Sequence, residues 1–463
     1  MISLNETDNI FFIGIAGTGM SALAQWLAAS GKKVYGSDRY FKPGLYNETK
    51  EKLEAEGIKC FIQNGEGITA ETQLVIVSTA IEDSVPEVQK AKSLGIPILK
   101  RSEMLSLIAD SKKTIAVGGT SGKSTTAAMI FDILEFAGLN PGIISGAGLI
   151  KLIEQNKIGN AKYGTGEWLV IEADESDGSI VQYHPEIGLL LNIDKDHKTV
   201  DDLVSIFTTF KQNTREKFVV NRLHPLAASL SQNAAHDFST EEGEENPGYR
   251  ASGFSQNGLK ISFAINGVPF ELNLVGKHNM ENAVAAVAVA HQIGIDLQTC
   301  SEALKSYEGI YRRHQLLAEK NGVLLIDDYA HNPVKCAVSI KACQPLGSKV
   351  IAWFQPHGYV PTKFLEQEFI EEIANALRPQ DEIWMSEIFY AGGTTTKNIS
   401  ANDLIAGIRE KGKNAYFVEN RNDLFDAIKP HLQENCVLLL MGARDPSLSD
   451  FAHSVAAQLQ NWD

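Results

Sequence analysis

The segment Gly119-Thr120-Ser121-Gly122-Lys123-Ser124-Thr125-Thr126 has residue types that bear directly on chemistry. Glycines let several backbone N–H groups point at one oxyanion, and a helix start adds its own N–H groups and dipole. Lys123 is placed to reach the β- and γ-phosphates of a nucleotide, and the Ser124 hydroxyl to ligate an accompanying Mg2+. The match to GxxxxGK[ST] is incomplete, because Val117 holds the place of the first glycine. A strand is expected at Thr114–Val117 and a helix after the loop, closing at Gly138 with Pro141 beyond; that is the context a phosphate loop requires.

Two further segments place polar groups where a parallel sheet would present them. Glu172-Ala-Asp174-Glu175-Ser-Asp177 follows the apolar run Trp168–Ile171, and carboxylates crowded at a strand tip are costly unless solvated or bound to a cation. Glu172 is therefore a candidate Mg2+ ligand, beside the plainer reading of an acidic surface loop. The run Ile187–Ile193 ends in Asp194-Lys-Asp196-His197, where His197 is either a metal ligand or a solvated histidine.

A second Gly-rich turn, Gly14-Ile-Ala-Gly17-Thr-Gly19, follows the apolar run Ile10–Ile13 and opens a helical pattern over Met20–Ala29. Such a turn favours a pyrophosphate, and Asp38, after the strand Lys33–Tyr35, is placed for a ribose hydroxyl. Taken alone this suggests a nicotinamide-dependent dehydrogenase as readily as a nucleotide-sugar site. Asn279 and Asn282 stand near the start of a helix, where side-chain amides either read an adenine edge or cap the helix. Arg312-Arg313 and Asp328-Tyr-Ala-His331-Asn-Pro333 mark a third region; an arginine at a domain junction can clamp a γ-phosphate, or be one of a surface pair.

The elements needed to position these groups form three α/β regions. At 463 residues, two or three domains are expected. The boundaries read as 1–107, a Rossmann-like domain; 108–311, a central P-loop ATPase-type domain with a mainly parallel sheet; and 312–463, a second Rossmann-like domain with strands at Val323–Ile326, Val350–Phe354 and Val437–Met441. Ser239–Gly248 is polar and acidic and reads as a surface loop. A net charge of −15 argues against a nucleic-acid partner. No apolar run is long enough to span a membrane, and the first residues have no export signal, so a cytoplasmic protein is expected. The cysteines, Cys60, Cys300, Cys336, Cys343 and Cys436, are scattered without CxxC spacing, which suits reduced thiols rather than disulfides or zinc.

In their order these segments resemble the Mur ligase family over nearly the whole chain. The family's GTxGK[ST]T is met at Gly119–Thr125, its EADESD at Glu172–Asp177, its N-x-x-x-D-H at Asn192–His197 and its GxHNxxN at Gly276–Asn282. Its RR and DYxHxP are met at Arg312-Arg313 and Asp328–Pro333. GIxGxGM at Gly14–Met20, GSD at Gly36–Asp38, SEML at Ser102–Leu105 and FQPH at Phe354–His357 are similar to the branch acting on UDP-N-acetylmuramate. The resemblance implies an ATP-dependent, Mg2+-requiring amide ligase of peptidoglycan precursor synthesis. It would join an amino acid, L-alanine by expectation, to a UDP-sugar carboxylate through an acyl phosphate.

By the same resemblance Lys123, Glu172 and His197 are catalytic. Ser124, Glu172 and His197 hold metal, and Gly119–Thr125, Asn279, Asn282, Arg313, Asp328 and His331 bind ATP. Gly14, Gly17, Gly19 and Asp38 bind the UDP end. The branch continues FQPH with Arg-Tyr-x-Arg, whereas here Gly358 and Pro361 hold the arginine positions and Arg444 stands where glycine is usual. The ligase class is thus better marked than the acceptor. A paralogue with another acceptor amine or acyl donor, and a nucleotide-binding protein without catalysis, remain as alternatives.

Overall fold

The computed structural model describes residues 4–79, 81–194, 199–240, 247–390 and 397–462. The chain divides into two compact units: 1–254, 262–272 and 280–311 form one, and 255–261, 273–279 and 312–463 the other.

The first unit opens with five parallel strands, β1 (Asn9–Ile13), β2 (Lys33–Asp38), β3 (Lys59–Ile62), β4 (Leu74–Val77) and β5 (Ile98–Lys100), ordered β3-β2-β1-β4-β5. Ile10, Phe11, Phe12 and Ile13 are all buried, as expected of a parallel strand covered on both faces. A second sheet comprises β6 (Lys113–Gly118), β7 (Gly142–Ile144), β8 (Ala161–Lys162), β9 (Trp168–Glu172), β10 (Ile187–Leu190) and β11 (Lys217–Val220). Its order is β11-β10-β6-β9-β7-β8, parallel except at β7–β8. The strand order reverses at β1 in the first sheet and at β6 in the second. At such points a crevice opens beyond the carboxyl ends of the strands.

The central region also holds a sheet that the hydrophobic pattern did not announce: β12 (Phe238–Ser239), β13 (Tyr249–Asn257), β14 (Lys260–Ile265) and β15 (Val268–Leu272), in that order. It buries one face only. Along β14, Ile261, Phe263 and Ile265 are buried while Lys260 and Ser262 are exposed, and the Phe263 and Phe270 rings stack at 5.8 Å. The loop expected at Ser239–Gly248 therefore begins inside β12, and 241–246 lie outside the described residues.

The second unit contains β16 (Gln315–Lys320), β17 (Val323–Asp328), β18 (Lys349–Gln355), β19 (Glu382–Met385), β20 (Asn414–Phe417) and β21 (Cys436–Gly442), ordered β16-β17-β21-β18-β19-β20. Only β16 runs antiparallel. Alternate residues serve two cores. Val437, Leu439 and Met441 of β21 pack on one face, Leu438 and Leu440 on the other.

Two expected strands end elsewhere. β2 continues through Gly36 and Ser37, which stay in register with Phe12 and Ile13. β10 stops at Leu190 rather than Ile193, because its ladder partners β6 and β11 end opposite it at Gly118 and Val220. Among the described residues no helix is long and apolar enough to cross a membrane.

Candidate functional site

The first Gly-rich turn leaves β1 at Gly14, whose φ of +79° suits glycine. Gly14 and Ile15 donate N–H groups to the Ser37 carbonyl at 2.8 and 3.1 Å. The Asp38 carboxylate accepts from the Ala16 N–H and the Tyr40 N–H, each at 3.0 Å. Asp38 thus shapes the turn, and a carboxylate so bonded still has lone pairs for a ribose hydroxyl. Gly17 caps the Thr18–Ala29 helix. Gly19 lies in its first turn, where an added Cβ would come within 2.9 Å of Arg101 Cδ.

The second loop leaves β6 at the reversal point of its sheet. Gly119 and Gly122 take φ of +136° and +86°, and the Lys123–Phe136 helix starts directly after Gly122. The positive φ at Gly122 favours glycine, and a Cβ there would come 2.6 Å from Asn282 Oδ1 and displace that side chain. Asn192, just beyond β10, grips the loop: its Oδ1 accepts from the Ser121 N–H and the Thr120 hydroxyl, both at 2.8 Å, and its amide donates to the Ser121 carbonyl at 3.1 Å. The Leu191 N–H donates to the Gly118 carbonyl at 3.1 Å, the last rung between β10 and β6 before the phosphate loop begins. Asn282 Oδ1 accepts from the Thr126 hydroxyl at 3.2 Å. Asn279, three residues earlier on the Lys277–Gln292 helix, donates its amide to the Val275 carbonyl at 2.8 Å.

Lys123 is the centre of charge in this unit. Its Nζ lies 2.6 Å from Glu175 Oε2, 2.7 Å from the Gly119 carbonyl and 3.8 Å from Asp174. Burial works against its charge, but Glu175 and Asp174 outweigh it and hold the ammonium above its ordinary range. Glu172 ends β9, paired in register with Val117. Its Oε1 accepts from the Ser145 hydroxyl and the Gly146 N–H, both at 2.6 Å. No hydrogen bond is found to its Oε2 or to the Ser124 hydroxyl among the described residues. An open oxygen donor at the tip of β9 and another in the first turn of the Lys123–Phe136 helix suit a hard divalent cation. His197 lies outside the described residues, among which no cluster of three metal-ligating side chains occurs. Sequence reasoning gave no role to Glu175 or Arg101, since what singles them out is contact across the fold.

In the second unit Arg313, Asp328 and His331 gather at the tip of β17. Arg312 and His314 take φ of +56° and +48°, rare for side chains of their size. Arg312 is buried: its Nε and Nη2 bond the Asp327 carboxylate at 2.8 and 3.2 Å, and Nη2 also reaches the Gly442 carbonyl at 3.0 Å. His314 Nδ1 lies 3.0 Å from Asp328 Oδ2, and its Nε2 3.0 Å from the Ser339 hydroxyl. This has the spacing of a Ser-His-Asp triad, but Ser339 is 1% exposed inside the Pro333–Cys343 helix, so the array is a strut and not a nucleophile. Arg313, held between the two anchors, stacks over the Tyr329 ring at 4.8 Å. His331 hydrogen-bonds the Tyr329 carbonyl through Nδ1, and burial, with Lys335 nearby, pulls its pKa down to about 3. It is therefore neutral at physiological pH, with Nε2 as an acceptor.

His278 is lowered to about 3 as well, by burial first and then by the His314 ring 5.4 Å away. Its folded pKa lies below the ordinary value near 6.5, so the unfolded chain takes up the proton first as acid is added. The stability it contributes is complete above about pH 6.5 and is lost as pH falls toward 3, at up to about 1.4 kcal/mol per pH unit. Calorimetric melts between pH 7 and 5 are expected to show a falling transition, with a shallower fall in His278→Gln. Equal slopes would assign the titration elsewhere.

Parallel sheets that reverse at nucleotide-type turns, with a lysine loop beside an acidic strand tip, are the parts of an ATP-dependent ligase. The chain belongs to the Mur ligase family. The family's models match in succession: Mur ligase family, catalytic domain over 9–113, Mur ligase middle domain over 117–290, and Mur ligase, glutamate ligase domain over 312–444. The UDP-N-acetylmuramate–L-alanine ligase of Carboxydothermus hydrogenoformans is 35% identical, covering 94% of this chain and 93% of its own. That of Pelotomaculum thermopropionicum is 32% identical, covering 96% of each. The crystal structure of the UDP-N-acetylmuramate-alanine ligase of Thermotoga maritima superposes with a TM-score of 0.78 at 26% identity, over 98% of this chain and 99% of that one. A murein peptide ligase from Psychrobacter arcticus shares the fold, with a TM-score of 0.66 at 21% identity, over 98% of this chain and 99% of that one.

Proposed function

We propose that this chain joins L-alanine to the carboxylate of UDP-N-acetylmuramate at the expense of ATP, in peptidoglycan precursor synthesis. Residues 1–107 bind the UDP end through Gly14, Gly17, Gly19 and Asp38. Residues 108–311 bind ATP through Gly119, Thr120, Ser121, Gly122, Lys123, Ser124, Thr125 and Asn282. Asn279 and Asn282 bind adenine, Arg313, Asp328 and His331 are further ATP-binding residues, and residues 312–463 bring the amino acid. The γ-phosphoryl group of ATP passes to the sugar-linked carboxylate, giving an acyl phosphate; the amine attacks its carbonyl carbon and phosphate leaves. Lys123 stabilises charge on the moving phosphoryl group. Ser124, Glu172 and His197 would hold Mg2+, which neutralises charge on the phosphate oxygens. Both nucleotides are polyanions that do not cross a bilayer unaided, so the reaction is placed in the cytoplasm.

The observation that carries this reading is Lys123 seated between Gly119 and Glu175 at the reversal point of the second sheet, in a chain matched along 94% of its length by a ligase of that name. A second reading, the same chemistry on another acceptor amine, is favoured by Gly358. Its φ is +73° and a Cβ there would come 3.0 Å from Pro361 Cγ, so the backbone does not suit an arginine. Phosphate release from MgATP is the test, with UDP-N-acetylmuramate present and each amino acid supplied in turn. Release dependent on the sugar nucleotide and L-alanine is expected. Release with a different amine selects the second reading, and no release with any amine rejects both.

A further inference from the structure

Arg101 opens the Arg101–Asp110 helix directly after β5. Its stem crosses the first turn of the Thr18–Ala29 helix so closely that a Cβ on Gly19 would sit 2.9 Å from its Cδ and 3.2 Å from its Nη1. Its Nη2 donates to Asp177 Oδ2 at 2.9 Å, both side chains being about a quarter exposed (26% and 28%). That is the one protein acceptor found for the guanidinium among the described residues. Its other N–H donors remain, in the planar fork that suits phosphate.

Asp177 is two residues beyond Glu175, the carboxylate that holds Lys123. Its Oδ1 accepts from the Ser179 N–H at 2.9 Å. The same acidic segment begins at Glu172, fixed on Ser145 and Gly146. A second tie runs from the Ser106 hydroxyl, on the helix that Arg101 starts, to the Gln182 carbonyl at 2.8 Å. The first Gly-rich turn, where Arg101 passes close to Gly19, is thus joined to Lys123 by the Arg101–Asp177 pair, two residues of chain and the Glu175–Lys123 pair, all within the first unit.

We propose that Arg101 is a positioning residue that contacts the diphosphate of the sugar nucleotide and, through Asp177, couples occupancy of the first Gly-rich turn to the setting of Lys123 for ATP. The inference rests on the proposed function for the identity of that diphosphate. A guanidinium held by a single carboxylate is free to orient when an anion arrives at the helix start beside it. Fixing it there fixes Asp177, and with it the short segment carrying Glu175. Because linkage is reciprocal, ATP must then tighten the sugar nucleotide by the same factor.

The test is calorimetric binding of UDP-N-acetylmuramate and of a non-hydrolysable ATP analogue, each alone and in the presence of the other. The proteins are the wild type, Arg101→Ala, Arg101→Lys and Asp177→Asn, with melting temperatures as the control for folding. In the wild type each ligand is expected to tighten the other by roughly 5- to 150-fold. In Arg101→Ala the factor falls to near one and the sugar nucleotide alone binds more weakly. Asp177→Asn loses the coupling while still binding the sugar nucleotide through Arg101. Arg101→Lys recovers part of the sugar-nucleotide affinity, since charge is kept and the fork is lost. Coupling that survives in both Arg101→Ala and Asp177→Asn, or is absent from a wild type that binds both ligands, overturns the inference alone. A wild type that does not bind UDP-N-acetylmuramate overturns the proposed function and this inference with it.

Discussion

Lys123→Ala is expected to lower ATP turnover by at least about 10²–10³-fold, the scale seen when one preorganised charge-stabilising donor is removed. Loss of the ammonium has a second consequence. Glu175 is 4% exposed and loses its ion-pair partner, at 2.6 Å in the wild type, so it is left as an uncompensated buried acid. A drop in stability alone would mimic a catalytic loss, and the double variant Lys123→Ala with Glu175→Gln separates the two. The neutral amide removes the buried charge, so the melting temperature is expected to return toward the wild type while turnover stays lost. Phosphate release and thermal melts on the three proteins decide it. Recovery of turnover in the double variant would show that Lys123 serves to neutralise Glu175 rather than to hold phosphate.

That distinction was not available from the sequence, and the reason is physical. The phosphate loop is legible because glycine and lysine at fixed spacing act through the backbone of one continuous segment. The contact that holds Lys123 comes from a residue 52 positions away, and Arg101 and Asp177 are separated by 76. Nothing in their types fixes those pairings before the sheet brings β6 and β9 side by side. The strands of the three mainly parallel sheets were legible for the opposite reason, since burial on both faces leaves unbroken apolar runs such as Ile10–Ile13 and Val437–Met441. The β12–β15 sheet has one wet face. β14 reads Lys-Ile-Ser-Phe-Ala-Ile, an alternation too short to stand out from loop. The ends of β2 and β10 depend on pairing that residue types do not show: Ser37 stays in the ladder beside Ile13, and β10 ends where its partners end, at Gly118 and Val220.

The arginine pair shows the same limit, and it yields the second large prediction. In the sequence Arg312 and Arg313 are alike, but in the fold they are not. Arg312 is 7% exposed and its fork is spent on Asp327 and Gly442. Arg312→Ala leaves Asp327 buried without a partner, a change expected to cost on the order of 3–5 kcal/mol of stability. It also releases a backbone held at φ +56°. Arg312→Lys keeps the charge without the two-pronged geometry and is expected to fall between. Arg313 has its guanidinium over Tyr329, a contact worth about 0.5–1 kcal/mol at a partly exposed site. Arg313→Ala should therefore melt close to the wild type and, as a residue proposed to bind ATP, lose turnover by roughly 10²–10³-fold. Denaturant unfolding paired with steady-state phosphate release separates the roles. Full turnover in Arg313→Ala would remove that residue from the site. Wild-type stability in Arg312→Ala would mean that Asp327 finds another partner, and that the strained turn at 312–314 is held by His314, Asp328 and Ser339 alone.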